Sequence, residues 1–316
     1  MTAANGHQAK APDRRWIDRA IWVVAVLLVV VAIGFGAYYI QDRYLHADES
    51  LIERRSSHME ELVQQNPSDP DLRVAVAQWY LEKGLVDQAV EQANEALSLQ
   101  ADHQGALILL GQAYRSVGDI DQAIAQLSRV AELNRHSEFA AIDTRMNLVH
   151  YQLGELYSQK GAYESAAESF ELALRVDRTD ADARYSLALV YQALGDHTAA
   201  VEQLTEALRF GPNFIEAYEG LLVSYQALEM RDEAAYAEAM VAYGRADYWG
   251  AAEQLEQVIQ SSPEFAPPYL GLGLAYEQLG KKEQAVAALE QYLQFESDSF
   301  AAQHILGRLG VRTEAP

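Results

Sequence analysis

Two patterns of hydrophobic and polar positions divide the chain. From Ala20 to Ile40 every residue is apolar, glycine or aromatic, and none carries a charge. As a helix this run would be about 31 Å long at ~1.5 Å per residue, which matches the hydrocarbon thickness of a bilayer. Beyond residue 69, apolar residues instead recur three or four positions apart, as on one face of an amphipathic helix. The patterns predict an apolar membrane helix followed by a series of amphipathic helices.

Aromatic and basic residues flank the apolar run. The aromatic residues near its two ends are Trp16, Trp22, Tyr38, Tyr39 and Tyr44, and such rings favour the lipid–water boundary. The run is longer than the ~7–15 apolar residues of a signal peptide, and no Ala-x-Ala cleavage site follows it. We therefore expect 20–40 to be a retained anchor that places the chain in a membrane as a single-pass protein.

The basic residues near the span predict its orientation. Arg14, Arg15 and Arg19 crowd the first boundary, whereas only Arg43 lies close to the second. Because Lys and Arg are retained on the cytoplasmic side, we expect a cytoplasmic N-terminus and an extracytoplasmic C-terminal part. When Lys and Arg are counted over a longer distance on each side of the span, the two numbers differ by only one residue, so the opposite orientation stays open.

A phrase of the form Ala/Gly-x-x-Tyr-x-x-x-Gly returns at an interval of 34 residues, which is lengthened twice. Its tyrosines are Tyr80, Tyr114, Tyr157, Tyr191, Tyr225 and Tyr276. A glycine follows four residues later except after Tyr225, at Gly84, Gly118, Gly161, Gly195 and Gly280. Alanines five residues beyond complete the phrase, at Ala89, Ala123, Ala166, Ala200 and Ala285.

Each repeat is interpreted as two helices joined by a glycine turn. In the repeat from Gln104, one face of the first helix carries Leu107, Leu110, Gly111 and Tyr114, and the second helix carries Ile120, Ala123, Leu127, Val130 and Ala131. We expect the small Gly111 and Ala123 to let the helices approach closely, since a larger side chain would overpack the contact. The tyrosine is expected to fill the space toward the next unit.

Small residues, paired aromatics and a proline near the unit's end, as at Pro212 and Pro263, resemble the tetratricopeptide repeat family over about residues 70–310. The resemblance implies an all-α fold, a right-handed α-solenoid of helix hairpins, here preceded by a single N-terminal transmembrane helix. The expected parts are a tail (1–15), a transmembrane helix with flanks (16–44), a juxtamembrane linker helix (45–69) and the array (70–310). Its units are 70–103, 104–137, 147–180, 181–214, an irregular 215–265 and 266–299, with a closing helix over 299–309.

Two segments depart from the repeat. Nine extra residues, Glu138 to Met146, contain no glycine or proline and predict a lengthened helix rather than a loop. Between 215 and 265, Leu222 replaces a small residue and Glu229 replaces the turn glycine. The helix predicted over 232–243 could close the fifth unit or open a sixth, and the 34-residue step from Asp232 to Ala266 slightly favours the sixth.

The composition argues against several function classes. With 24 Lys and Arg against 46 Asp and Glu, the net charge of -22 repels phosphates, so nucleic acid is not an expected partner. The chain has no cysteine, and its eight histidines lack the spacing of metal ligands on one helix face. No phosphate-binding loop or serine-nucleophile elbow is present. We therefore predict a protein that is not an enzyme and uses no cofactor.

The resemblance places the first helix of each repeat along a groove. Counted from the start of each unit, the fifth and ninth positions are mostly apolar or amide, and none is the Lys or Asn with which related repeats bind a peptide carboxylate. A segment with basic or aromatic side chains is the better expected partner. The predicted partner-binding residues are Gln78, Ile108, Gln112, Arg115, Tyr151, Gln152, Glu155, Tyr185 and Gln192. A tyrosine at helical spacing more often packs between repeats, and an exposed glutamine usually serves only solubility. An ion pair with a neighbouring carboxylate explains Arg115 equally well.

The resulting hypothesis is a membrane-anchored scaffold that binds protein or peptide clients outside the cytoplasm and supports the assembly or maturation of an envelope complex. Two alternatives stay open. One is a cytoplasm-facing adaptor or receptor. The other is an accessory factor in cytochrome c biogenesis or secretion.

Overall fold

The computed structural model describes residues 15–40, 51–135, 143–211 and 214–311. Those residues form sixteen helices and no strand. The helices are α1 (Arg15–Ile40), α2 (Leu51–Gln65), α3 (Pro70–Glu82), α4 (Val86–Leu99), α5 (Gln104–Ser116), α6 (Ile120–Asn134), α7 (Thr144–Lys160), α8 (Tyr163–Val176), α9 (Ala181–Ala193), α10 (His197–Phe210), α11 (Ile215–Ala227), α12 (Arg231–Gly244), α13 (Tyr248–Ser261), α14 (Pro267–Gln278), α15 (Lys282–Phe295) and α16 (Phe300–Arg308). The chain divides into two units, Met1–Ser68 and Asp69–Pro316.

The first unit contains α1 and α2. The large apolar side chains of α1 from Trp22 to Phe35 are exposed. Within the described part of the chain, no helix combines the length and the apolar character needed to cross a bilayer. The predicted transmembrane helix over 20–40 is therefore not confirmed. Most of the predicted tail (1–14), the end of the predicted transmembrane segment with its flanks (41–44) and the start of the linker (45–50) lie outside the described residues.

In the second unit, α3 to α16, each helix packs against the next one along the chain. The helix starts follow from their sequence, because short polar side chains accept hydrogen bonds from the free N–H groups of the first turn. Asp119 accepts from the backbone N–H of Gln122, and Asp180 accepts from that of Ala183. Pro70 and Pro267 each stand in a first turn, where no N–H is needed. The result is a stack of helical hairpins.

Glycines close the hairpins in a left-handed backbone conformation. The φ angles at Gly84, Gly118, Gly161, Gly195 and Gly280 lie between 70° and 79°. In each turn the N–H after the glycine donates to the carbonyl of the repeat tyrosine five residues earlier, as from Asp119 to Tyr114 at 2.9 Å. This bond is the signature of a Schellman-type helix end, and it explains why tyrosine and glycine keep a fixed spacing.

Two residues other than glycine make the same turn. Glu229 has a φ of 59° and Ala246 has a φ of 66°, and they follow α11 and α12 respectively. The N–H of Met230 donates to Tyr225 at 2.9 Å, and that of Asp247 donates to Ala242 at 3.0 Å. Because two hairpin turns follow one another, α12 is the second helix of one hairpin and the first helix of the next. The helix predicted over 232–243 corresponds to α12 and takes part in both hairpins.

The packing of first helices across repeats changes at the same place. Contacts between first helices of successive repeats join α3 to α5, α7 to α9 and α9 to α11, and then α12 to α14. The role of first helix thus passes from odd-numbered to even-numbered helices at the α11–α12 hairpin. The segment α11 to α13 is called the three-helix segment below.

Small residues allow the close packing within hairpins, as the sequence predicts. A Cβ atom on Gly111 would lie 2.6 Å from Cγ of Leu127, and one on Gly154 would lie 2.7 Å from the Phe170 ring. Ala123 is fully buried. Real Cβ atoms do not approach other atoms so closely, so a larger residue requires the helices to separate.

Three of the repeat tyrosines direct their hydroxyls to the preceding unit, whereas the sequence predicted that the ring fills the space toward the next unit. The hydroxyl of Tyr191 donates to Glu171 of α8 at 2.8 Å, and that of Tyr276 donates to Glu256 of α13. Tyr225 likewise pairs with Thr205 of α10. These bonds hold the hydroxyl ends of the three tyrosines against the second helix of the previous hairpin.

The helix predicted across 138–146 is shorter in the structure. Residues 136–142 lie outside the described residues, α6 ends at Asn134, and α7 begins at Thr144. The carboxylate of Asp143 accepts from the N–H of Arg145 and so caps the start of α7. A capping residue has a non-helical backbone, so α7 gains only three residues before position 147.

Candidate partner-binding surface

Gln192 bridges the helices α9 and α11. The amide nitrogen of Gln192 donates to the backbone carbonyl of Gly220 at 2.7 Å and to the hydroxyl of Ser224 at 2.8 Å. Ser224 is fully buried. Gln192, a predicted partner-binding residue, is therefore committed to packing between repeats, and it fixes the spacing of the surface beside it.

Two exposed apolar side chains stand on this pair of helices. Leu189 of α9 is 41% exposed and Val223 of α11 is 51% exposed. Both occupy the ninth position of their units, 34 residues apart, and each lies within one helical turn of the Gln192 contact. Side chains at the same position of successive first helices lie on the same side of the array. We call Leu189 and Val223 the apolar ladder.

The predicted tyrosines lie beside this surface but are half-buried. The ring of Tyr151 meets that of Phe170 edge to face at 5.6 Å between centroids, and the ring of Tyr185 is tilted against Phe214 at 5.1 Å. Burial raises the pKa of both phenols, so they stay neutral near pH 7. Much of each ring stabilises the array, and the remaining edge and hydroxyl can contact a partner.

Arg115 forms an ion pair with Glu155, which is the alternative to partner binding that was left open for this residue. Its guanidinium lies 2.8 Å from the Glu155 carboxylate and joins α5 to α7. A half-exposed ion pair contributes little to stability, but it satisfies both charges. Arg115 and Glu155 are both predicted partner-binding residues, and they bind each other. A partner that used either charge would have to displace this ion pair.

The other predicted residues are placed differently. Gln152 is buried, with its side-chain oxygen unpaired among the described residues, so it lies in the interior and not on an open face. Gln78 is exposed and donates to Glu82 at 3.1 Å. Ile108 packs against the cluster that includes Leu107 and Leu127, and Gln112 is partly exposed.

The sequence did not single out a cleft in the three-helix segment. This cleft has a volume of about 230 Å³, and its lining residues are Ile215, Tyr218, Met240, Tyr243, Tyr248 and Gln278. The side chains of Tyr243 and Gln278 are hydrogen bonded across α12 and α14. The only sequence feature that pointed to this cleft was the high density of tyrosines from 236 to 248. Because the repeat is irregular there and contains an extra helix, the sequence did not predict which of these tyrosines contact one another. No group of His, Asp and Glu suited to a metal ion occurs in the described ranges.

Comparisons with known proteins agree with the repeat geometry. A model described as TPR repeat matches residues 154–195, one described as tetratricopeptide repeat matches 242–309, and another matches 105–137 and 181–214. No curated protein matches the chain.

Solved structures also resemble the chain. A crystal structure of MamA protein is 24% identical over 56% of this chain and 92% of that one, with a TM-score of 0.51. The C-terminal part of a TPR repeat-containing protein from Cytophaga hutchinsonii is 17% identical over 85% and 98%, with a TM-score of 0.52. At these identities the likeness concerns the fold alone.

Proposed function

Because the chain carries tetratricopeptide repeats, we propose that it is a scaffold that binds partner proteins along its first helices. Repeats of this kind present an extended surface built from neighbouring helices and need no deep reaction site. The matched repeats and the stacked hairpins support a role in protein–protein interaction.

The apolar ladder is the observation that carries the proposal. Leu189 and Val223 expose apolar area on two helices that are bridged by the part-buried bond from Gln192 to the buried Ser224. Rigid placement lowers the entropy cost of binding, and apolar contacts at the centre of an interface supply much of its free energy. Tyr185 and the Arg115–Glu155 pair would provide polar contacts around the patch.

The proposal includes attachment to a membrane through residues 20–40. The uncharged sequence of this run and the exposed apolar side chains of α1 support the attachment. The crowding of Arg14, Arg15 and Arg19 before the run supports a cytoplasmic N-terminus and an array outside the cytoplasm. There the scaffold would hold clients near the bilayer for the assembly or maturation of an envelope complex.

The interaction surface is tested by charge insertion. We expect Leu189→Glu with Val223→Glu to lower the yield of a site-specifically cross-linked client at least tenfold, because two carboxylates would have to be desolvated in the interface. Both positions are exposed, so helicity and unfolding midpoint should stay unchanged.

The matched control is Leu99→Glu with Val117→Glu. These residues are 44% and 60% exposed and lie in other hairpins of the array, and the substitutions add the same charge. An equal loss of cross-linking in the control, or no loss in the ladder variant, would reject the ladder as the binding surface.

The location is tested separately with a protease added to sealed membranes of known orientation. We expect the array to be cleaved from the extracytoplasmic side and to sediment with membranes until residues 1–50 are deleted. Protection from that side would favour the cytoplasm-facing adaptor, and release from membranes by salt alone would exclude an anchor.

A further inference from the structure

The cleft in the three-helix segment arises where the role of first helix changes. Tyr218 and Met240 form its floor, with exposed fractions of 7% and 1%, while Tyr243 and Tyr248 stand partly exposed at its walls. A Cβ atom on Gly244 would lie 2.4 Å from Cγ1 of Ile215, so only glycine lets α12 approach α11 here. The space is therefore set by packed side chains and by one required glycine.

The walls of the cleft are aromatic and uncharged. The rings of Tyr243 and Tyr248 lie 5.4 Å apart between centroids and are inclined by 58°, which forms a corner of two ring faces. Burial raises the pKa of Tyr218 to about 12 and also raises the pKa of Tyr243, so these phenols are neutral at pH 7. Ring faces carry the negative end of the aromatic quadrupole and attract cations.

The charge around the cleft is net negative, and three of its cations are engaged by neighbouring groups. Between residues 215 and 278 the chain has eleven Asp and Glu, two Arg and no Lys. One of those arginines, Arg245, is paired with Glu219 at 2.8 Å. From the following elements, Arg308 makes two hydrogen bonds to Glu277, and the ammonium of Lys281 lies 3.8 Å from the Trp249 ring centroid. An acidic surface with an aromatic cleft complements a cation.

We propose that this cleft receives an arginine side chain from a basic segment of the client, an inference that rests on the proposed scaffold function. A guanidinium is planar, stacks on aromatic faces and presents several N–H donors. In the cleft it can lie against Tyr243 and Tyr248 and donate to the phenol oxygens and to the side-chain carbonyl of Gln278 at the rim. A lysine ammonium is more strongly hydrated and lacks the planar match.

The test measures fluorescence anisotropy with the full chain in detergent micelles. The probes are a labelled Gly-Ser peptide with four arginines, the same peptide with citrulline in place of arginine, and the same with lysine. We expect the arginine peptide to bind at least fivefold more tightly than the lysine peptide and the citrulline peptide to show no measurable binding. Tyr243→Leu with Tyr248→Leu should lower the arginine affinity at least fivefold.

The matched control is Tyr163→Leu, because Tyr163 begins α8 as Tyr248 begins α13, the second helices of their hairpins. This variant should bind all three peptides like the unchanged protein. Gln278→Leu, at an exposed position, should lower the affinity for the arginine peptide about threefold. This variant tests the proposal if the double variant loses helicity.

Equal binding of the arginine and lysine peptides, or an effect of Tyr163→Leu as large as that of the cleft variants, would show general acidic attraction and overturn the proposal. Equal binding of the citrulline peptide would show that no cation is required and would also overturn it. Failure here, with client cross-linking still dependent on Leu189 and Val223, would reject the cleft and leave the scaffold function standing.

Discussion

The hairpin of α5 and α6 and the three-helix segment reach the same turn geometry from different sequences. In the first, Gly118 adopts the left-handed conformation and Gly111 admits Leu127. In the second, Glu229 and Ala246 adopt that conformation, and Leu222 stands where Gly111 does. The turn bond is 2.9 Å from Asp119 to Tyr114 and 2.9 Å from Met230 to Tyr225. Packing of the flanking helices therefore imposes the turn, and glycine only lowers its cost.

The three-helix segment shows how an odd number of helices can be inserted between regular two-helix repeats. Each hairpin interface is alike, so α12 can present one side to α11 and another to α13 and α14. The cost is two strained turns, and the consequence is a cleft with aromatic walls. Irregular segments of a repeat array are thus places where a specific site can form.

The largest expected effect comes from filling the close contact of the regular hairpin. Gly111→Leu should lower the free energy of unfolding by about 3 kcal/mol, because its Cβ would lie 2.6 Å from Leu127 and the helices must separate. Urea unfolding of the full chain, followed by circular dichroism, measures the change.

Gly307→Leu serves as its control. Gly307 is also a helix glycine, in α16, but nothing lies within 4 Å of a Cβ built there. This variant should be unchanged or more stable by up to about 1 kcal/mol, since leucine favours helix. If Gly111→Leu were as stable as the unchanged protein, close approach would not be a requirement of the hairpin.

A smaller effect, of opposite sign in the two regions, is expected at the turns. Gly118→Ala should lower the free energy of unfolding by about 1 kcal/mol, because alanine is strained at a φ of 79°. Ala246→Gly should raise it by about 0.5 kcal/mol, the relief of strain being partly offset by the greater entropy of the unfolded chain. The same urea experiment checks both. A loss of stability in Ala246→Gly would mean that the side chain of Ala246 contributes contacts that outweigh its strain.

The sequence predicted the regular hairpins well because their signals are local. Tyr114, Gly118 and Ala123 mark a ring, a turn and a close contact, and each needs a particular residue type. The double role of α12 was not decided, because Glu229 and Ala246 carry no turn signal and take their conformation from helices packed on both sides. Among the predicted surface residues, Gln152 is buried and Gln192 bonds to the next first helix, since an amide on a first helix suits packing between repeats as well as solvent.

The smallest expected effect tests whether tyrosine packing is preserved across the three-helix segment. Tyr276 reaches back to Glu256 of α13 as Tyr191 reaches back to Glu171 of α8, so the register is the same on both sides. Burial, and then the bond to the carboxylate, raises the pKa of each phenol to about 12, whereas an unfolded tyrosine has a pKa of about 10. This contribution to stability is fully present below pH 10 and is lost as the pH rises through about 12.

We expect Tyr276→Phe and Tyr191→Phe each to be less stable than the unchanged protein at pH 8, with the difference shrinking between pH 10 and 12. Urea unfolding at each pH measures this, with phenolate absorbance as a parallel record of titration. A pH-independent difference for Tyr276 but not for Tyr191 would show that the tyrosine bond to the preceding helix is not the same on the two sides of the segment.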